Sequence, residues 1–248
     1  MKKLVVNYTI VVLTLLLVVL PIMAACTKSE PAPTPAPTPS PLPAPVPVPS
    51  PPPTSAPHVL FSDDFSNEAS GWDTFEDENG WVIYEGGWLH LTNYTYAEYD
   101  TYSCIHKEFS DFILEVETKL VDGTVNNLHG VYCRADSLSE GEILPCYVLG
   151  ISADGYYAIQ KVVEGEIITL VSPTRSIHIN KGRDVVNLMR IECIGSNLRL
   201  AVNGHVLTEV QDDSHSSGVL ALVTTAWTEQ DGKSFSEVAF DNIVVTAP

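Results

Sequence analysis

Apolar and polar residues alternate with a period of two along the C-terminal three-quarters of the chain. Turns such as Asp154-Gly155 and Asn203-Gly204 separate several of the alternating segments. Residues of this kind supply the positive φ that tight hairpins require, and no stretch of about 11 residues has the 3.6-residue period of an amphipathic helix. The pattern predicts antiparallel strands at 88–91, 112–120, 129–134, 147–152, 156–163, 185–193, 198–202, 219–225 and 238–245.

The first 57 residues break this pattern, and they predict export. Lys2 and Lys3 precede an apolar run, Leu4–Leu20, which is followed by Ala24-Ala25-Cys26. A charged start, an apolar middle and small residues before a processing site are the parts of a secretory signal peptide. The Ala24-Ala25-Cys26 segment resembles the lipobox of bacterial lipoproteins. This resemblance implies acylation of Cys26 and an extracytoplasmic lipid anchor on a bacterial membrane. The alternative is an uncleaved anchor, although the run is shorter than the roughly 20 residues of a spanning helix.

Between this leader and the alternating segments lies a stretch rich in proline. Residues 31–57 hold 14 of the 18 prolines in the chain. Because proline fixes φ and has no N–H group, the stretch can form neither helix nor sheet. We expect a disordered, extended linker of about 80 Å, at about 3.1 Å per residue. The predicted organisation is a signal peptide at 1–25, the lipidated cysteine and linker at 26–57, and a β-sandwich at 58–248.

The charge of the chain limits the partners that it can have. Its 31 acidic and 13 basic residues give a formal net charge of −18. No run of Lys or Arg is present beyond the leader to neutralise phosphates, which argues against nucleic acid as a partner. The acidity is typical of a soluble surface of an exported protein, and we expect a monomer.

Four segments of the β-rich region resemble a known family. They are Phe61-Ser62-Asp63-Asp64-Phe65-Ser66 with Gly71-Trp72, Asp154-Gly155-Tyr156-Tyr157, Leu198–Gly204 and Val238–Val245. Together they resemble concanavalin A-like lectin/glucanase domains, and most of all the laminin-G-like and 3-keto-disaccharide hydrolase versions found in bacterial envelopes. The resemblance covers nearly all of 58–248. It implies an all-β, two-sheet antiparallel jelly-roll sandwich with one concave sheet.

Four cysteines lie in the predicted sandwich. An exported chain with an even number of cysteines predicts two disulfides. Strand parity directs Cys133 and Cys193 into the core and Cys104 and Cys146 to the other face, which favours the pairs Cys133–Cys193 and Cys104–Cys146. The alternatives are a Cys133–Cys146 bridge across a hairpin, or free buried thiols. No C-x-x-C motif or neighbouring histidine pair predicts a zinc site.

A pair of acidic residues is the candidate for catalysis. Glu115 and Glu117 lie two apart on one predicted strand, so they share a face with a spacing of about 6.5 Å. That spacing is in the range of the carboxylate pairs of glycoside hydrolases. Glucanases of the resembled fold carry E-x-D-x-x-E, and this chain lacks the last acid. The alternative interpretation is an ordinary strand whose acids face water.

A second group of acids is a candidate metal site. In the resembled fold the first and last strands meet and hold Ca²⁺, which implies a site at Asp64 and Asp241, with Asp63 as an alternative to Asp64. Calcium takes six to eight oxygen ligands, so two carboxylates are only part of a site. The alternative is that both residues cap turns and strand ends.

Aromatic and polar residues supply candidates for ligand binding. Tyr132 and Arg134 alternate with core residues and are expected to face outward. Trp227 follows a strand end, and residues 94–102 form a tyrosine-rich, loop-like run. Exposed aromatic rings and adjacent polar groups suit recognition of a glycan, although such rings also pair between strands.

These observations predict a membrane-anchored surface lipoprotein. Its sandwich is expected to bind glycan or another envelope polymer without catalysing a reaction, and the one cofactor that the sequence suggests is a structural Ca²⁺. One alternative is a glycoside-active hydrolase that uses Glu115 and Glu117. The other is a purely structural or protein-interaction module.

Overall fold

The protein forms two antiparallel β-sheets, which confirms the predicted fold class. The computed structural model describes residues 57–94, 100–136, 145–226 and 235–248, and no helix occurs in these ranges. The described chain therefore offers no helix with the length and apolar character needed to cross a bilayer. The predicted signal peptide, Cys26, the linker and Trp227 lie outside the described residues.

Fifteen strands are present in the described ranges, and they divide into two layers. The strands are β1 Val59–Asp63, β2 Phe75–Glu76, β3 Gly80–Glu85, β4 Trp88–Tyr94, β5 Thr101–Phe109, β6 Phe112–Gly123, β7 Leu128–Ala135, β8 Cys146–Ser152, β9 Tyr156–Val163, β10 Glu166–Arg175, β11 Asn187–Ile194, β12 Asn197–Val202, β13 His205–Gln211, β14 Gly218–Thr224 and β15 Phe235–Thr246. Sheet A has the order β13-β12-β11-β6-β15-β4-β3-β2, with β1 also paired to β15, and sheet B has the order β10-β9-β8-β7-β14-β5.

The core lies between the facing sides of the two sheets. Along β6, Leu114 and Val116 are fully buried, whereas Glu115 and Glu117 on the opposite face are only half-buried. A β-strand places alternate side chains on opposite faces of its sheet. The apolar residues that recur with a period of two in the sequence are therefore the ones that face the core. A second, smaller apolar cluster lies on the outer face of sheet B.

The predicted turn at Asn203-Gly204 is present, and Glu164-Gly165 forms a second turn of the same kind. Asn203 and Gly204 have φ values of 51° and 80°, and Glu164 and Gly165 have 53° and 80°. Two consecutive residues with positive φ define the hairpin turn that matches the twist of its strands. Both turns join neighbouring antiparallel strands, β12 to β13 and β9 to β10.

Some strands carry no pattern that predicts them. β10 is half-buried only at Leu170 and Val171 and is exposed elsewhere, and β13 has no fully buried residue. Both strands lie at the ends of their sheets. A strand that packs only two side chains against the core has no sustained apolar alternation, so its sequence lacks the signal. The loop-like interpretation of 94–102 is wrong at both described ends, since Tyr94 ends β4 and Thr101 begins β5.

Candidate functional site on the outer face of sheet B

One row of side chains crosses the outer face of sheet B. The strand register aligns Cys104 with Ala221, Ala221 with Tyr132, Tyr132 with Val148, and Val148 with Gln160. Four inter-strand steps separate the ends of this row, which corresponds to about 19 Å. Residues far apart in the sequence are therefore brought onto a single surface, with polar groups near both ends.

A groove lies at the β9 end of the row. It has a volume of about 350 Å³, and its lining includes Asn126, Asp154, Tyr156, Gln160 and Pro173. Tyr156 is 38% exposed, so part of its ring is open to solvent. An apolar ring flanked by amide and carboxylate groups is the composition expected of a site for a small polar ligand such as a sugar.

A short hydrogen-bond network holds the rim of this groove. The Ser152 hydroxyl donates to Asp154 Oδ1 at 2.5 Å and accepts from the backbone N–H of Tyr156 at 3.3 Å. Asp154 belongs to the turn at Asp154-Gly155, where Gly155 has a φ of 95°, and Tyr156 begins the strand that follows, β9. The turn therefore fixes the aromatic ring and the carboxylate on one rim.

The middle of the row is buried, and its polar side chain is that of Tyr132. Tyr132 is 8% exposed, and its hydroxyl donates to Asp100 Oδ2 at 2.5 Å. Burial raises the pKa of the Asp100 carboxyl, which the hydrogen bond from Tyr132 only partly offsets. Tyr132 lies on the outer side of sheet B as parity predicts, but the expectation that it is exposed is wrong. An acidic group with a raised pKa beside a phenol is an arrangement often found at functional sites.

Arg134 is not on this surface, contrary to the sequence-based expectation. Its side chain is 1% exposed and donates to the carbonyl oxygens of Ser110, Gly195 and His215 at 2.8–3.0 Å, and to Asp111 at 3.1 Å. The register between β7 and β14 shifts beside Arg134, which has a φ of 53°. Such a bulge reverses the alternation of side chains, so parity fails at this residue.

Glu115 and Glu117 lie on the outer face of sheet A, on the opposite layer from the groove. Glu115 accepts a hydrogen bond from Arg190 at 2.8 Å, and Arg190 also contacts Glu192 at 3.0 Å. Glu192 also forms an ion pair with Arg199 on the next strand, β12. The shared face confirms the parity argument, but the contacts place Glu115 in a network of surface ion pairs.

The predicted calcium residues do come together. β1 pairs with β15, with Asp63 opposite Ile243, so the first and last strands meet as expected. Burial raises the pKa of Asp241, and the nearby carboxylates of Glu117, Asp64 and Asp63 raise it further. Both oxygens of Asp63 already accept hydrogen bonds, from Phe65 N and Trp72 Nε1. Both oxygens of Asp241 likewise accept hydrogen bonds, from N and Nδ2 of Asn242, and Asp64 and Asp241 alone supply only a fraction of the six to eight oxygens that Ca²⁺ takes.

The cysteines face the sides that parity predicts, but they are free thiols. Cys133 and Cys193 belong to the main core, and Cys104 and Cys146 belong to the outer cluster of sheet B. Cys104 on β5 and Cys146 on β8 are three strands apart, about 14 Å, which exceeds the span of a disulfide. The predicted Cys104–Cys146 bridge is therefore wrong, and so is the Cys133–Cys146 alternative, because those side chains lie on opposite faces. Burial, followed by the neighbouring Cys193 thiol, raises the pKa of the Cys133 thiol.

Sequence reasoning missed a cluster at the β5 end of the row. Cys104 Sγ lies 2.8 Å from Asp73 Oδ2, and His106 Nε2 lies 3.0 Å from Asp73 Oδ1. Burial, followed by the hydrogen bond and charge of Asp73, raises the pKa of the Cys104 thiol to about 12. Cys104-x-His106 on one strand is the signal that could have indicated the cluster, but nothing in the sequence brings Asp73 to it.

Comparison with known proteins agrees with this architecture. Residues 58–246 match the family described as 3-keto-alpha-glucoside-1,2-lyase-like domain. No curated protein matches the chain in sequence.

Three solved structures illustrate the fold. A carbohydrate-binding module, CBM66, from Bacillus subtilis has a TM-score of 0.55 at 15% identity, covering 71% of this chain and 96% of the module. A Bacillus subtilis protein of unknown function with a galectin-like fold has a TM-score of 0.55 at 12% identity, covering 76% of this chain and 96% of its own. A putative glycosyl hydrolase from Parabacteroides distasonis has a TM-score of 0.50 at 17% identity, covering 75% and 98%. At these identities the likeness is one of fold.

Proposed function

The chain belongs to the 3-keto-alpha-glucoside-1,2-lyase-like domain family, and from this premise we propose that its sandwich is a non-catalytic carbohydrate-binding domain. The glycan binds in the groove on the outer face of sheet B. The observation that carries this proposal is the exposed ring of Tyr156 beside Gln160 and Asp154. An apolar ring can pack on the C–H face of a pyranose while the adjacent amide and carboxylate bond to its hydroxyl groups.

The charged outer face of sheet A is a poorer site for a sugar. A ligand there would have to displace water from Glu115, Arg190 and Glu192, which already satisfy one another. Removing charged groups from water is unfavourable unless the ligand replaces their partners, and a neutral sugar does not. The same contacts disfavour the alternative of a glycoside hydrolase that uses Glu115 and Glu117.

A glycan array tests the proposal directly. The purified protein should bind a subset of glycans, and Tyr156→Ala and Gln160→Ala should each weaken that binding about tenfold or more, since each removes a contact worth roughly 1.4 kcal/mol or more. Leu188→Ala is the matched control, because Leu188 is a similarly exposed apolar residue on sheet A. Absence of binding to every glycan, or equal binding by the Tyr156 variant, would contradict the proposal and favour a structural or protein-interaction module.

A second candidate function is lyase chemistry, as the family name indicates. A 1,2-lyase acting on a 3-keto-glucoside removes the proton at C2, beside the carbonyl group, and expels the substituent at C1, so it needs an acid–base group. The Asp100–Tyr132 pair is the observation that favours this function. Incubation with a 3-keto-α-glucoside should then release the C1 substituent, and Asp100→Asn should abolish the release while preserving the fold. No turnover by the wild-type protein would leave glycan binding as the function.

The proposed setting of this domain is the outer surface of a bacterial membrane. Cys26 is acylated there after cleavage of the leader, and the proline-rich linker separates the sandwich from the lipid. The support is the sequence pattern of residues 1–57. Cells fed labelled palmitate should incorporate the label into the wild-type protein and not into Cys26→Ser. Equal labelling of both proteins, or recovery of the wild-type protein from the cytosol, would overturn the proposal.

A further inference from the structure

A trio of side chains with metal-ligand chemistry lies at the β5 edge of sheet B. Cys104 and His106 are two apart on β5, and the register with β14 becomes irregular just after Ile105, where His106 lies. Trp72 forms an isolated bridge with Ile105, which brings the next residue, Asp73, beside them. The Ser103 hydroxyl also donates to the Asp73 carbonyl at 2.8 Å. The backbone on both sides of the trio is therefore held in place.

The three donor groups are close enough to share one ion. One ligand atom from each of Asp73, Cys104 and His106 lies within 4.8 Å of the others, and the sulfur is 3.7 Å from the imidazole nitrogens. In a tetrahedral zinc site, with bonds of about 2.0–2.3 Å, neighbouring ligand atoms are about 3.3–3.7 Å apart. The sulfur–nitrogen distance already fits. Asp73 contacts the sulfur through Oδ2 and His106 through Oδ1, so its exposed carboxylate must turn and draw back by about 1 Å for one oxygen to bind the ion.

The accessibility of the trio suits an ion that enters from solvent. The side chains of His106 and Asp73 are 67% and 44% exposed, whereas Cys104 is fully buried. The two exposed side chains can therefore move to accommodate an ion while the sulfur is fixed by packing. His106 also lines a cavity that includes Glu108, Asp136 and Ser217, so one side of the trio opens onto a polar space.

We propose that Asp73, Cys104 and His106 bind a Zn²⁺ ion. A thiolate, an imidazole and one carboxylate are the donors that zinc accepts, and the sulfur disfavours Ca²⁺ and Mg²⁺, which take oxygen ligands. Three protein ligands leave a fourth position, which water or a ligand oxygen fills from the adjacent cavity. Zinc-bound water or a zinc-bound hydroxyl group would then lie on the same face as the groove. The proposal does not depend on glycan binding, because metal binding is measured without a glycan.

Titration with Co²⁺ and Zn²⁺ tests the site. Co²⁺ should bind one per protein and give a thiolate-to-cobalt charge-transfer band, and Zn²⁺ should displace it. Cys104→Ala, His106→Ala and Asp73→Asn should each weaken Zn²⁺ binding by about 100-fold or more, since loss of even an indirect partner costs 10–100-fold. Cys146→Ala, which removes a buried thiol elsewhere on the same face, and His205→Ala, which removes an exposed imidazole, should bind as the wild type does.

Two results would overturn the proposal. The first is Co²⁺ binding without a charge-transfer band, which would mean that the thiolate is not a ligand. The second is equal Zn²⁺ affinity in the wild type and His106→Ala. Because His106 is mostly exposed, its variant should keep the fold even if Cys104→Ala does not, and thermal unfolding of the metal-free proteins checks this.

Discussion

Replacing Arg134 by alanine removes the most heavily hydrogen-bonded buried side chain of the core edge. The guanidinium contacts the carbonyl oxygens of Ser110, Gly195 and His215 and the carboxylate of Asp111. These partners come from three different segments of the chain, so the variant should loosen the place where the β5–β6 turn, the β11–β12 turn and the loop before β14 meet.

The size of the effect follows from these contacts. A hydrogen bond to a charged donor contributes about 1.5–3 kcal/mol, and the three carbonyl acceptors together give about 4.5 kcal/mol at the lower figure. The ion pair with Asp111 adds little, because that carboxylate is half exposed. Water entering the space recovers part of the loss, so we expect Arg134→Ala to lower the free energy of unfolding by about 4 kcal/mol. For a domain of this size, Tm should fall by roughly 8–16 °C.

Thermal and chemical unfolding of two variants measure this. Arg190→Ala is the control, because Arg190 also forms two ion pairs but its side chain is 38% exposed; its loss should cost less than about 1 kcal/mol. If Arg134→Ala unfolds no earlier than Arg190→Ala, the structural role assigned to Arg134 is wrong. If Arg134→Ala keeps its stability but loses glycan binding, Arg134 contacts ligand directly.

Three further outcomes are expected. Burial lowers the pKa of His129 to about 4, so between pH 6.5 and 4 the unfolded chain binds a proton that the folded chain does not. The free energy of unfolding should therefore decrease as the pH is lowered through that range, by roughly 3 kcal/mol from this residue. Chemical denaturation of His129→Gln should show a weaker dependence of this free energy on pH. Identical profiles for the two proteins would refute this. Ca²⁺ should stabilise the wild-type protein, by about 2.7 kcal/mol at 100 times its Kd, and should leave Tm of Asp241→Asn unchanged; an equal shift in both proteins would place the ion elsewhere. Oxidised glutathione should accept the two electrons and two protons of Cys133 and Cys193, and peptide mapping should find these two residues joined by a disulfide. The bond closes a loop of about 60 residues and should raise the free energy of unfolding by about 4 kcal/mol. A mapped disulfide that includes Cys104 or Cys146 would contradict the structure.

Strand parity predicted which side of a sheet a residue occupies wherever the ladder is regular. It separated Cys133 and Cys193 in the core from Cys104 and Cys146 on the outer face, and it placed Glu115 outside. These predictions succeed because the apolar alternation and the pleat have the same period of two. Parity wrongly predicts that Arg134 faces outward, because a bulge shifts the register there and the neighbouring sequence does not predict the bulge.

Strand order could not be read from the sequence. Cys104 and Cys146 face the same side, yet two other strands separate them, so the predicted bridge cannot form. For the same reason the sequence did not place Asp73 beside Cys104 and His106, because that contact depends on a bridge between Trp72 and Ile105. Contacts between distant segments require the topology, whereas the side that a residue faces is a local property.

The two outer faces of the sandwich differ in what a ligand would have to displace. On sheet A, Arg190 and Arg199 link Glu115, Glu192 and Glu209 across four strands, so any ligand meets charges that are already paired. On sheet B, the row between the trio and the groove is buried, with Tyr132, Val148 and Ala221 at 8%, 5% and 0% exposure, so a ligand meets mainly the groups near the two ends of the row. Binding specificity should therefore come from the polar groups at the two ends of the sheet B row, and a ligand that contacts both ends must span about 19 Å, several sugar units. If short and long glycans bind equally well, only the groove contributes and the trio acts independently.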